Sequence, residues 1–70
     1  MDFTFTPHAL EEMQERSIPI QTVLMVLNRP EQIVAAKGGR SAYQSELSIN
    51  NKPYLLRLII EPDGTVITMY

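Results

Sequence analysis

The 70-residue chain contains no cysteine, no tryptophan and a single histidine, His8. Without cysteine there are no disulfides and no thiolate to act as nucleophile or metal ligand. With one histidine, a zinc site built inside one chain lacks its usual ligands. Positive charge is also scarce. Six Lys and Arg stand against eight Asp and Glu, giving a net charge of −2 and an isoelectric point of about 5.2. Dedicated nucleic-acid binders usually carry a basic excess, so these totals count against nucleic acid as a partner unless the basic residues gather locally. No stretch is long and apolar enough to span a bilayer. The opening residues MDFTFTPH lack the basic segment and apolar run of a signal peptide, and the expected location is the cytoplasm.

What is present is apolar mass: 44% of the residues are hydrophobic, too many and too patterned for a disordered chain. The length predicts one domain, residues 1–70. A core this small is marginal, because burial at ~25 cal/mol per Å² barely exceeds an ordering cost of roughly 1.5 kcal/mol per residue. With no disulfide to help, the extra stability must come from tight side-chain fit or from a second subunit.

Phe3 and Phe5 alternate with Thr4 and Thr6, the period of a short strand. Thr6 then suits a helix cap and Pro7 the first helical position. A helix is predicted from Pro7 to about Arg16, with Ala9, Leu10 and Met13 as its apolar stripe. Pro19 ends it and opens a second helix, in which Ile20, Val23, Leu24 and Leu27 follow the i, i+3, i+4, i+7 rule and should face the core. Met25 and Val26 then fall toward the far side. Asn28 and Pro30 stop this helix.

From residue 31 the period becomes two. Strands are expected over Gln32–Ala36, Arg40–Ile49, Tyr54–Glu61 and Thr65–Tyr70, joined by turns at Gly38-Gly39, Asn50-Asn51 and Pro62-Asp63-Gly64. The expected architecture is α+β: two N-terminal helices packed on a C-terminal antiparallel sheet of about four strands, with a possible short N-terminal strand. In the strongest strand Tyr54, Leu56, Leu58 and Ile60 share one face and Leu55, Arg57 and Ile59 the other. Both faces are apolar, which predicts a sheet covered on both sides, by the helices on one and with a second subunit as the candidate cover on the other.

The runs FTPHALEEMQERSIPIQTVLMVLNRPEQIV, GGRSAYQ and LLRLIIEPDGTVITMY together resemble the bacterial family of domains of unknown function 4258, over nearly the whole chain. That resemblance implies the compact fold of the barnase, colicin and RelE-like ribonucleases and a place among toxin-like domains of bacterial conflict systems. It implies functional positions at His8, at Arg16, at Arg40 with Tyr43, and at Tyr70. The sequence departs from the family pattern at Glu12, where a basic residue is common, and at Ser17 and Pro19, where Gly and Ser are usual.

His8 is the first choice for any proton transfer near neutral pH. At 100° per residue it sits roughly 20° from Glu15 and 40° from Glu12, either as a proton-transfer group steered by a carboxylate or as a surface histidine. A metal bound by His8, Glu11 and Glu12 would need further ligands from elsewhere. Arg16 reads as a phosphate contact or as a structural partner of Glu12 at i−4. Metal-independent ribonuclease chemistry needs a base, an acid and cations for the developing charge. His8, Arg16, Arg40, Arg57 and Tyr70 supply those types, if they converge. The expected cofactor is none.

Two functions follow. One is a metal-independent endoribonuclease or ribosome-directed toxin of the RelE-like kind, with RNA and a cognate antitoxin-like protein as partners. The other is a non-catalytic module that self-associates as a homodimer through helix 2 or the second sheet face.

Overall fold

The architecture begins with one threonine. In the computed structural model, which describes residues 2–70, the Thr6 hydroxyl accepts the Ala9 N–H at 3.0 Å and donates to the Ile67 carbonyl at 3.0 Å. One side chain thus caps α1 (Pro7–Glu15) and ties it to β5 (Thr65–Met69). Just before it, β1 (Thr4–Phe5) pairs in parallel with β5. The expected N-terminal strand therefore exists, and it makes the sheet mixed rather than wholly antiparallel.

α1 ends in a Schellman turn. The Ile18 N–H bonds the Met13 carbonyl and the Ser17 N–H bonds the Gln14 carbonyl, with Ser17 in left-handed backbone at φ +53°. Ile18 is buried, and α2 (Ile20–Asn28) starts two residues later behind Pro19. The two helical stripes differ from expectation. Ala9 is buried and Met13 packs on the core, but Leu10 is 45% exposed. The inward arc of α1 runs through Ala9, Met13 and the half-buried Glu12, and Leu10 stands about 100° from Ala9. In α2 the core residues are Val23, Val26 and Leu27, whereas Ile20, Leu24 and Met25 are exposed. Residues 23–27 are apolar all round, so periodicity allows two helix rotations. The helix takes the one that turns Val26 inward and Leu24 outward.

The remaining strands are β2 (Gln32–Ala35), β3 (Ser41–Ile49) and β4 (Lys52–Ile60), with a 3₁₀ turn over Lys37–Gly39 between β2 and β3. The sheet order is β1-β5-β4-β3-β2, and β2 through β5 pair antiparallel as expected. Asn50 and Asn51, at φ +54° and +65°, close the two-residue β3–β4 hairpin whose last pair is Ile49↔Lys52. Two successive positive φ values fit a right-twisted hairpin.

One sheet face carries Leu56, Leu58, Ile60, Val66 and Met69, all buried against Ala9, Ile18, Val23, Val26 and Leu27. Tyr43, Leu47 and Tyr54 pack at its margin. The second face carries no helix. There Leu55 is 48% exposed, and Arg57 and Ile59 are half-buried. The expected helical cover is thus present on one face: a chain of this length supplies one helical layer, and the alternation in β4 leaves a second, mixed face open.

Candidate functional site

Alternation along the strands assigns side chains to faces. The register Gln44↔Arg57 and Ala42↔Ile59 puts Ala42, Gln44 and Glu46 of β3 on the helix-free face with Leu55, Arg57 and Ile59 of β4. Arg57 and Tyr70 exchange main-chain hydrogen bonds of 2.8 and 3.0 Å, which sets Tyr70 beside Arg57 on that face. Arg40 precedes β3 in the same phase and forms an ion pair with Glu61, at the far end of the face. The row of Ala42 and Ile59 separates this pair from Arg57.

The centre of the face is Arg57. Its guanidinium carbon lies 5.4 Å from the centroid of the Tyr70 ring, within cation–π range. Its Nε is buried and has no hydrogen-bond partner among the described residues. A buried guanidinium N–H without an acceptor is costly, and guanidinium donors suit an oxyanion. Glu46 pairs with Leu55, one row from Gln44↔Arg57, which makes it the diagonal neighbour of Arg57 at about 7–8 Å between backbones. A shallow groove beside this row is lined by Gln32, Gln44, Glu46 and Leu55, with Glu31 at its rim. The Gln44 amide donates to Gln32 at 2.7 Å, and the Glu31 carboxylate accepts the Glu46 N–H at 2.8 Å.

His8 and Arg16 lie elsewhere, on the helical layer. Glu12 stands between them: its Oε1 is 4.0 Å from His8 Nε2 and its Oε2 accepts from Arg16 Nε at 2.8 Å. The Glu12 carboxylate, with a smaller contribution from Tyr54, raises the Arg16 guanidinium above its ordinary range. Both residues are exposed, so Arg16 is held by a carboxylate one turn back and His8 sits at the rim of the same pair. Tyr43 turns to the helical face and meets Phe3 edge to face at 6.2 Å. It is therefore parted from Arg40, three residues away on the opposite face.

The structure thus brings Arg57 and Tyr70 into contact, leaves Arg40 on the same face two rows away, and keeps His8 and Arg16 on the other side of the molecule. Gln44 and Glu46 join the first group although sequence reasoning overlooked them. The signal that would have found them is parity: residues 40, 42, 44 and 46 of one strand share a face. Among the described residues no group of three or more His, Asp or Glu side chains comes together as metal ligands. No described helix is long and apolar enough to cross a membrane.

Residues 5–70 match the model of a family described as a domain of unknown function, DUF4258. No curated protein and no solved structure matches the chain.

Proposed function

Because the chain belongs to the DUF4258 family of domains of unknown function, we propose that it is a toxin-like bacterial domain of the cytoplasm acting on RNA, a metal-independent endoribonuclease of the RelE-like kind. Its working surface is the helix-free face of the sheet. The observation that carries this reading is the Arg57 guanidinium stacked on Tyr70 beside Glu46, on a face without a helix.

The chemistry follows from the groups present. Arg57 meets the charge of a phosphodiester, while Arg40, two rows along and paired with Glu61, meets a neighbouring phosphate rather than the scissile one. The Glu46 carboxylate takes the proton of the 2′-hydroxyl as its oxygen bonds to phosphorus. The bond from phosphorus to the 5′-oxygen breaks, and the Tyr70 hydroxyl gives that oxygen its proton. The products are a 2′,3′-cyclic phosphate and a free 5′-hydroxyl. His8 and Arg16, across the molecule, bind flanking RNA or a cognate antitoxin-like protein rather than the scissile phosphate.

The test is cleavage of single-stranded RNA by the purified protein in the presence of a chelator, together with growth after expression in bacteria. Wild type should cut RNA and slow growth. Arg57→Ala and Glu46→Gln should each lower cleavage by about 10²-fold or more, while His8→Ala should retain most of it. Absence of cleavage and of a growth effect in wild type would sink the reading. The second reading, a non-catalytic self-associating module, is favoured by one observation: Leu24, Met25, Ile33 and Leu55 are exposed. It gains if wild type neither cuts nor binds RNA.

A further inference from the structure

β2 is an edge strand, and edge strands of soluble domains are usually blunted by charge, proline, a bulge or a cover. Gln32, Ile33, Val34 and Ala35 are all exposed and carry no charge and no proline. The opposite edge needs less protection, since β1 is only two residues long.

The ladder phase fixes which β2 groups are free. The Ala36 N–H donates to the Arg40 carbonyl at 2.9 Å, and β2 pairs with β3 in the register Val34↔Ala42. Even-numbered residues of β2 therefore bond β3, and Ile33 and Ala35 turn their N–H and C=O groups outward. A second copy can take up these groups in antiparallel pairing about a two-fold axis. Centring the axis on Val34 sets Ile33 opposite Ala35 of the other copy, both in the outward phase. It also brings Lys37, in the turn after β2, toward Glu31 just before it, whose carboxylate accepts the Glu46 N–H of its own chain. Centring on Ile33 would instead oppose Arg29 and Lys37, two like charges, and centring on Ala35 would oppose Ile33 and Lys37. Charge selects Val34.

The helical layer continues this surface. Leu27 and Asn28 of α2 line a shallow groove with Ile33, and Leu24 lies between them on the helical wheel at about 100° per residue. Leu24 and Ile33, 43% and 56% exposed, thus border the same edge.

We propose that the chain dimerises with a second copy of itself by antiparallel pairing of the two β2 edges about Val34, joining two five-stranded sheets into one. The two α2 helices flank the axis and cover Leu24 and Ile33. The helix-free faces stay open side by side, so the dimer stands whether or not that face cleaves RNA.

Sedimentation equilibrium and light scattering across a concentration series, without RNA, test the proposal. The 8.0 kDa chain should run at twice its mass. Ala35→Pro removes an outward N–H and no β2–β3 bond, which edge strands tolerate, and should raise the dimer dissociation constant by roughly tenfold or more. Val34→Lys puts two like charges on the axis and should do the same. Lys37→Glu should weaken the dimer. Circular dichroism checks that each variant is folded; if Ala35→Pro unfolds, the two charge variants decide. A wild type that stays monomeric at millimolar concentration, or a dimer indifferent to Val34→Lys and Lys37→Glu, would overturn the proposal.

Discussion

The guanidinium of Arg57 rests on the ring of Tyr70 while the backbones of the same two residues exchange a pair of hydrogen bonds. The backbone pair fixes the ring's position, and the ring holds the cation over the helix-free face. Stability and activity can be separated at this contact. Tyr70→Phe keeps the ring and loses the hydroxyl; it should leave the unfolding midpoint in urea unchanged while lowering RNA cleavage at least tenfold. Tyr70→Ala removes the stack as well and should cost about 0.5–1 kcal/mol.

Ser17 sits at φ +53° in the Schellman turn after α1, a backbone region that costs a residue with a Cβ about 1 kcal/mol. The family pattern that this chain resembles has glycine there. Ser17→Gly should raise stability by about 0.5–1 kcal/mol in denaturant titrations, less what the unfolded chain gains in freedom. A destabilised variant would mean that the serine side chain supports the turn.

Val26 and Leu24 offer a comparison inside one helix. Val26 is fully buried and Leu24 is 43% exposed. At protein concentrations below the dimer dissociation constant, Val26→Ala should cost about 2 kcal/mol and Leu24→Ala under 1 kcal/mol, although leucine is the larger side chain. The reverse order would restore the rotation suggested by periodicity.

Asp63 accepts the Thr65 N–H at 2.9 Å in the β4–β5 turn. Bonds from the Thr65 side chain and backbone hold its carboxyl below the ordinary aspartate range. A depressed folded value means that this group stabilises the fold above its unfolded value, near pH ~3.9, and that the gain fades as pH falls from there through the folded value. Asp63→Asn should flatten that part of the stability curve below about pH 4. An unchanged acid limb in denaturant titrations would remove Asp63 as its cause.

Much of this fold is legible in the residues. Thr6-Pro7, Asn50-Asn51 and Pro62-Asp63-Gly64 each mark a boundary through a specific backbone demand, and each boundary falls where those demands put it. What periodicity does not hold is the rotation of α2, since an apolar run from 23 to 27 satisfies two phases equally. It also cannot say that only one sheet face has a helical cover, because that depends on how two short helices share a five-stranded area. The candidate site was legible in its parts. Arg57 and Tyr70 are visible as types, but their contact depends on which pairs β4 and β5 form, and Glu46 emerges only when register is known.

The parallel pairing of Thr4 with Thr65 bears on how the chain reaches this state. The β3–β4 hairpin closes through a two-residue turn and can form within microseconds, whereas β1 must wait for a strand 61 residues away. Loop closure of that length is an entropic toll collected before any β1 contact rewards it. β1 is therefore expected to dock after the rate-limiting step. A substitution such as Phe5→Ala should speed unfolding and leave the refolding rate nearly untouched, the signature in stopped-flow chevrons of a region absent from the folding nucleus.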